Sequence, residues 1–334
     1  MNNQSFQALQ VSEAADGAFQ SKIVTRSITD LPDGEVLIRV LYSSLNFKDA
    51  LSASGNKGVT RSYPHTPGID AAGLVVSSEV AEFSEGDEVI ITGYDLGMNT
   101  SGGFGEYIRV PSGWVVKLPS GLNVRDSMIL GTAGVTAALC IEKLLNAGMQ
   151  SDSGEILVTG ATGGVGIISV AILSKLGFSV VASTGKMSEN HFLESIGASR
   201  IIDRKELSEA SSRPLLKEKW IGAVDVVGGA TLVNVLKSLE YGASVAACGL
   251  VESPSLEATV LPFILRGINL LGVDSVEQPR VVKQGVWEKL ANDWRIKDLN
   301  SICTEISFDG LQHNLDKILA GKATGRTILK LGSS

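Results

Sequence analysis

The chain has 334 residues, 44% of them hydrophobic and 19% charged, which allows two domains with a sizeable core in each and carries no compositional sign of disorder. Its formal net charge of −7 offers no general attraction to nucleic acid or to an anionic membrane, so neither is expected as a partner and any bound anion must be held by local cations. The N-terminal stretch lacks the basic and apolar regions of a signal peptide, and no apolar run approaches the roughly 18 residues of a membrane span, which points to the cytoplasm.

Residues 1 to about 123 read as β-rich. Short runs such as Gln7–Val11, Glu35–Ser43 and Glu88–Thr92 are separated by the turn sequences Pro32-Asp-Gly34, Glu85-Gly-Asp87 and Pro111-Ser-Gly113. Many short strands without a helical period suggest a small barrel. Within it, Ser44–Leu51 looks like a loop entering a helix. From about 124 the texture changes: Arg125–Leu145 has helical spacing, and strands then alternate with helices to about 273, the pattern of a doubly wound parallel sheet. The three cysteines, Cys140, Cys248 and Cys303, lie far apart in apolar surroundings and are expected as buried thiols rather than a disulfide framework or a zinc site.

The alternation opens on Glu155-Ile-Leu-Val-Thr-Gly-Ala-Thr-Gly-Gly-Val-Gly166, an apolar run too short for a helix followed by a turn rich in glycine and then a helical segment to Gly177. Glycines let such a turn approach a pyrophosphate, whose charge rests on the free N–H groups of the helix start. A second strand follows in Phe178–Ala182, completing a βαβ unit of about 30 residues that marks a Rossmann dinucleotide site. An NAD site needs an acid at the end of that second strand, and a 2′-phosphate needs donors and positive charge instead. Here the strand ends Ser183-Thr-Gly-Lys186 with no acid, and Arg204 follows the next apolar run. Thr184, Lys186 and Arg204 therefore predict NADPH.

After residue 279 the pattern gives a helix from Arg280, a strand at Thr304–Phe308, a helix from Gly310 and a last strand at Thr327–Leu331. This tail is too short for a domain. It is expected to complete the first domain, giving one domain of residues 1–123 with 279–334 and a nucleotide-binding domain of residues 124–278, with a cleft between them as the place for chemistry.

Several stretches together resemble a known family. Asp87-Glu-Val, Gly102-Gly-Phe-Gly-Glu-Tyr107, Gly131-Thr-Ala-Gly-Val-Thr-Ala137, the glycine turn Gly160–Gly166 and Ala246-Ala-Cys-Gly-Leu250 are similar to the medium-chain dehydrogenase/reductase superfamily in its zinc-free quinone oxidoreductase branch. Ser43–Leu51, Pro67-Gly-Ile-Asp70, Leu261–Arg266, Gly272–Ser275 and Gly325-Arg-Thr327 resemble the acrylyl-CoA reductase group. The resemblance implies a GroES-like β-barrel catalytic domain beside the Rossmann domain, a homodimer, and NADPH-dependent reduction of a carbon–carbon double bond conjugated to a carbonyl. It places Thr162, Gly163, Gly164 and Val165 on the pyrophosphate, Thr184, Gly185, Lys186 and Arg204 on the 2′-phosphate, and Leu250, Ile264 and Ser275 beside the nicotinamide. Thr132 and Thr136 either face the same ring or bond their own helix backbone. Phe47 joins the cofactor contacts at a position where the group usually has tyrosine, so no hydroxyl acts there. Zinc-dependent relatives carry a cysteine ligand where this chain has Asn46, and His65 alone makes no zinc site, so no metal is expected.

The expected chemistry sends a hydride to the β-carbon of an unsaturated thioester while charge builds on the thioester oxygen. Asn46 is the first candidate to donate to that oxygen or to the cofactor ribose, and Lys48 and Asp49 either place charge or water beside it or form a surface ion pair at a helix start. The phosphates of a short enoyl-CoA require a basic patch, for which Arg61, Arg266, Arg280 and Arg326 are candidates. A quinone or enone reductase with the same cofactor, and a catalytically silent NADPH-binding regulatory protein, are the alternatives.

Overall fold

The computed structural model describes residues 4–209 and 211–332, so the first three residues of the N-terminal stretch lie outside the described part. In chain order the elements begin with β1 (Ser5–Glu13), β2 (Phe19–Ser27), β3 (Val36–Ser44), α1 (Phe47–Ala53), β4 (Asp70–Ser78), β5 (Glu88–Thr92), β6 (Tyr107–Val110) and β7 (Val116–Lys117). The long α2 (Val124–Asn146) leads into β8 (Glu155–Val158), α3 (Gly164–Lys175), β9 (Ser179–Thr184), α4 (Asn190–Ser195), β10 (Arg200–Asp203), α5 (Lys205–Ser208) and β11 (Trp220–Asp225). Then come α6 (Gly229–Ser238), β12 (Leu239–Ala247), α7 (Leu261–Arg266), β13 (Asn269–Gly272), α8 (Arg280–Ala291), β14 (Cys303–Ile306), α9 (Phe308–Leu319) and β15 (Arg326–Lys330).

Packing separates Met1–Thr132, Val276–Asn292 and Lys297–Ser334 from Ala133–Ser275 and Asp293–Ile296. The first unit is built on a seven-stranded sheet ordered β14-β15-β3-β4-β5-β7, with β6 also paired to β3. Its β-branched strand residues meet in one core, where Ile38, Val40, Val75, Val89, Ile91 and Val110 are all but closed to solvent. The tail enters this sheet because β15 runs antiparallel to β3, with Ile328 opposite Ser44 and the Leu45 N–H donating to the Thr327 carbonyl at 2.9 Å.

The second unit is an all-parallel sheet ordered β10-β9-β8-β11-β12-β13. Parallel strands covered on both faces read as unbroken apolar runs. Accordingly β11 is buried along its whole length and Ile156, Leu157 and Val158 of β8 are fully closed. Strand order reverses between β8 and β11, and the carboxyl ends of strands at such a reversal frame the crevice where α/β sheets bind ligands. The glycine turn lies at the end of β8. It packs so tightly that a Cβ on Gly166 would stand 2.4 Å from the Gly160 carbonyl oxygen, which is how α3 comes close to its strand.

Three expectations change. The boundaries fall at Thr132 and Ser275 rather than at 124 and 279, because α2 is not continuous: Gly131 sits at φ 52°, ψ −155°, and the turn before it belongs to the first unit. The same helix is long and apolar enough to cross a membrane by composition, contrary to the sequence reading, yet 78% of its most apolar window is buried inside the fold. Of the thiols expected to be buried, Cys140 is, while Cys248 and Cys303 are only partly covered.

Replacing Gly166 by alanine is expected to force α3 away from β8 and to lower stability by about 1–3 kcal/mol. The loss is checked as a reduced urea midpoint for the transition of the nucleotide-binding unit.

Candidate active site

In the second unit the helix start of α3 is formed by Gly163, which caps it in extended conformation at φ −81°, followed by Gly164 and Val165. The first N–H groups of any helix have no intrahelical acceptor, and at this point they face the end of the parallel strands, where an anion is best stabilised. Thr162 borders the turn, and its Oγ1 lies 3.2 Å from Thr184 Oγ1 at the end of β9. Thr184 is also the anchor of the next turn, since its Oγ1 accepts from the Lys186 N–H at 3.0 Å and its carbonyl accepts from the Arg204 N–H at 2.9 Å. Gly185 leaves the room that Arg204 occupies: a Cβ there would stand 2.6 Å from Arg204 Nε.

Thr184, Gly185, Lys186 and Arg204 are therefore one local assembly, as the spacing predicted. Lys186 is half-buried and the Arg204 side chain is exposed. Burial holds the Lys186 ammonium below the ordinary lysine range; Glu189 acts upward and Arg204 downward. A cation kept below its usual range by burial and a second cation gains most from a dianionic partner. The geometry thus suits a phosphate ester better than bare ribose hydroxyls.

Other predicted contacts spread more widely. Leu250 and Ile264 are exposed, at 57% and 69% of their surface, and Ser275 is buried. Thr136 and Ser275 are joined, with Thr136 Oγ1 donating to Ser275 Oγ at 2.7 Å. The Thr132 hydroxyl and N–H both donate to Asp70, at 2.5 and 2.8 Å, so each threonine hydroxyl meets a polar acceptor from a distant part of the chain.

In the first unit the loop between β3 and α1 carries the candidate chemistry. Asn46 caps α1 and is half-buried; Phe47 is exposed at 40%, and Lys48 is half-buried. Asp49 is wholly buried, which rules out a surface ion pair. Its carboxylate accepts the Asn46 N–H at 2.7 Å and the Ile69 N–H at 2.8 Å, tying the helix start to the strand entering at Asp70. Burial, with Asp70 adding to it, pushes the Asp49 carboxyl up to about 7 against the opposing pull of those N–H bonds.

Two carboxylates emerge that the sequence reading did not assign. Asp70, buried at the start of β4, accepts from Ser44 Oγ, Asn46 Nδ2 at 2.8 Å, and Thr132 N and Oγ1, four donors in all. Its only signal was the acid closing Pro67-Gly-Ile-Asp70. Asp225, buried at the end of β11, accepts from Thr159 Oγ1 at 2.7 Å and the Gly228 N–H at 2.8 Å, and burial raises its carboxyl. The acid ending an apolar run was the available signal.

The basic-patch candidates are mostly committed elsewhere. Arg326 is buried and donates to the Ile129 carbonyl at 2.8 Å, the Leu45 carbonyl at 3.3 Å and Asn46 Oδ1 at 3.3 Å. Arg266 bridges the carbonyls of Leu216 and Lys237 and pairs with Glu218 at 2.9 Å. Arg280 pairs with Glu82 at 2.9 Å, while Arg61 is exposed. A buried guanidinium needs such partners simply to be tolerated, so Arg326 is not left for a ligand, and Arg61 is the exposed candidate without an ion pair among the described residues.

Comparison with known proteins agrees with this geometry. Residues 32–120 match the alcohol dehydrogenase GroES-like domain and residues 164–292 match the zinc-binding dehydrogenase model. Acrylyl-CoA reductase AcuI of Ruegeria pomeroyi is 43% identical, covering 98% of this chain and all of its own. The putative quinone oxidoreductase YhfP of Bacillus subtilis is 45% identical over 98% of this chain and 99% of its own. The structure of Bacillus subtilis yhfP with NAD bound superposes with a TM-score of 0.95 over 98% of this chain and all of that one. The structure of Escherichia coli YhdH with bound NADPH gives 0.94 at 44% identity, with 98% of this chain and all of that one covered. The donor set does not suit the zinc that the second model's description names: among the described residues no three of histidine, cysteine, aspartate and glutamate converge, and Asn46 stands in the loop where a thiolate is required.

Because the Asp49 carboxyl titrates near 7 in the fold and near 3.8 outside it, the folded chain holds the extra proton in between. This group's contribution is fully present below the lower value and is lost as pH rises through the upper one. Asp49→Asn keeps a single acceptor for two N–H groups, which is expected to cost about 1–3 kcal/mol at pH 5. Urea midpoints at pH 5 and pH 8 should show the gap to the wild type narrowing as pH rises.

Proposed function

The chain belongs to the medium-chain dehydrogenase/reductase superfamily, and on that footing we propose that it is an NADPH-dependent reductase of the double bond of a short α,β-unsaturated acyl-CoA, converting acryloyl-CoA to propanoyl-CoA. The observation that carries the cofactor choice is the assembly of Thr184, Lys186 and Arg204 after β9, with glycine at 185 and no acid closing the strand. Relatives named for acrylyl-CoA reduction, similar over nearly the whole length, support the substrate class.

Bound NADPH supplies the hydride. The chain's own work is to hold, orient and stabilise charge. Thr162, Gly163, Gly164 and Val165 present the helix start to the pyrophosphate, and Lys186 and Arg204 neutralise the 2′-phosphate. Leu250, Ile264, Phe47 and the Thr136–Ser275 pair are proposed beside the nicotinamide. Asn46 donates a hydrogen bond to the thioester oxygen as negative charge builds on it, and Lys48 adds positive charge beside it. Asp49, closed to solvent, shapes the loop rather than touching substrate. Phe47 has no hydroxyl, so the α-carbon receives its proton from water. Arg61 is proposed to meet the CoA phosphates.

A quinone or enone reductase is the second reading, favoured by the name of the 45%-identical Bacillus subtilis relative. A cytoplasmic setting and a homodimer complete the proposal. The dimer rests on β13, the last strand of its sheet, where Leu270 is 36% exposed. An apolar sheet edge of this kind is usually paired. Sedimentation at micromolar concentration should give a dimer, and a monomer contradicts it.

Lys186→Ala and Arg204→Ala are each expected to weaken NADPH binding roughly tenfold or more while leaving NADH binding nearly unchanged, since each removes a charge-assisted bond worth about 1.5–3 kcal/mol. Binding titrations with both nicotinamides check this, and equal affinities in the wild type would sink the cofactor assignment. Steady-state rates of NADPH oxidation with acryloyl-CoA, crotonyl-CoA and small quinones decide the substrate; turnover of none of them favours a silent NADPH-binding protein.

A further inference from the structure

The amide of Asn46 is gripped from both sides. Its Nδ2 donates to Asp70 Oδ2 at 2.8 Å, and its Oδ1 accepts from Arg326 Nη2 at 3.3 Å. A carboxylate only accepts and a guanidinium only donates, so turning the amide over would set oxygen against oxygen and N–H against N–H. The orientation is thereby fixed. One amide hydrogen goes to Asp70, while the Ser44 carbonyl stands at a long 3.4 Å and the Asp49 carboxylate also feels the amide.

The grip is itself held. Asp70 also takes Ser44 Oγ and both donors of Thr132, while Arg326 takes the carbonyls of Ile129 and Leu45. Thr132 and Ile129 flank Gly131, where a Cβ would stand 2.3 Å from Ser44 Oγ and 2.6 Å from Asp70 Oδ2. The helix is broken where the two buried charges need its backbone: a carbonyl before the break goes to the guanidinium, and the N–H after it goes to the carboxylate. An amide whose oxygen already accepts from a cation is a stronger donor through its nitrogen.

We propose that Asp70 and Arg326 are positioning residues that act through Asn46, locking its amide so that one N–H remains presented to the thioester oxygen. This rests on the reading of Asn46 given above. The test compares Asn46→Ala, Asp70→Asn and the double variant in the full-length protein, measuring kcat and KM for acryloyl-CoA and the Kd of NADPH. Asn46→Ala is expected to lower kcat roughly 100-fold and Asp70→Asn roughly tenfold, with the Kd of NADPH unchanged, and the double variant should be no slower than Asn46→Ala. If Asn46→Ala keeps its kcat, the reading of Asn46 fails and the inference with it. If Asn46→Ala is slow but Asp70→Asn is not, or if the two losses multiply, the inference alone is overturned. Should Asp70→Asn fail to fold, Ser44→Ala removes one donor from the same carboxylate without stranding a charge. A few-fold loss of kcat that vanishes in the Asn46→Ala background supports the inference, and an unchanged kcat overturns it.

Discussion

The interaction on which the first unit depends is the enclosure of one carboxylate, Asp70, by four donors drawn from two separated parts of the chain, Ser44 and Asn46 on one side and Thr132 on the other. An ion closed to water costs several kcal/mol unless its lone pairs are met, and losing one partner of such a site typically costs about 3–5 kcal/mol. Meeting that condition fixes the end of β3, the start of β4, the break in α2 and the entry of β15 in one small volume. Arg326 answers the same condition with opposite sign. The loop carrying Asn46 is thus placed by electrostatics together with the apolar packing of Leu45 and Ala50 on either side, since Asn46, Phe47 and Lys48 are themselves at most partly buried.

The second unit solves a different problem. Its sheet is held by apolar burial on both faces, and Thr159, Thr184 and Asp225 place polar demand at the carboxyl ends of β8, β9 and β11. There the chain leaves backbone N–H groups and two cations concentrated around Thr184, while Asp225 is spent on the turn at Gly228. A protein of net charge −7 holds a phosphorylated ligand only through such a local inversion of sign.

How much of this was legible differs between the two units. The cofactor half was read almost in full, because strand, glycine turn, helix and second strand follow one another within about 30 residues. Thr184, Gly185 and Lys186 are neighbours in sequence, and Arg204 is bonded to Thr184 one strand later, so local order gives local geometry. In the first unit, Asn46 was singled out through its place in a loop, but its partners were not. From sequence Asp49 either places charge or water beside Asn46 or forms a surface ion pair, and Arg326 is one candidate for a basic patch, yet both are interior. Their burial follows from the return of β15 and α9, which no nearby residue announces. Thr132 and Thr136 were singled out as well, yet Asp70 and Ser275, to which their hydroxyls donate, lie 62 and 139 residues away.

By itself the sequence determined the βαβ unit, the all-parallel sheet and the cationic end of β9, since periodicity and turn chemistry act between neighbours along the chain. Only the tertiary structure decided that α2 breaks at Gly131, that Asp70 and Arg326 are interior, and that the Asn46 amide faces one way. Those outcomes come from long-range closure: a buried charge takes whichever partners the folded chain brings to it, and their identity is written in no local pattern.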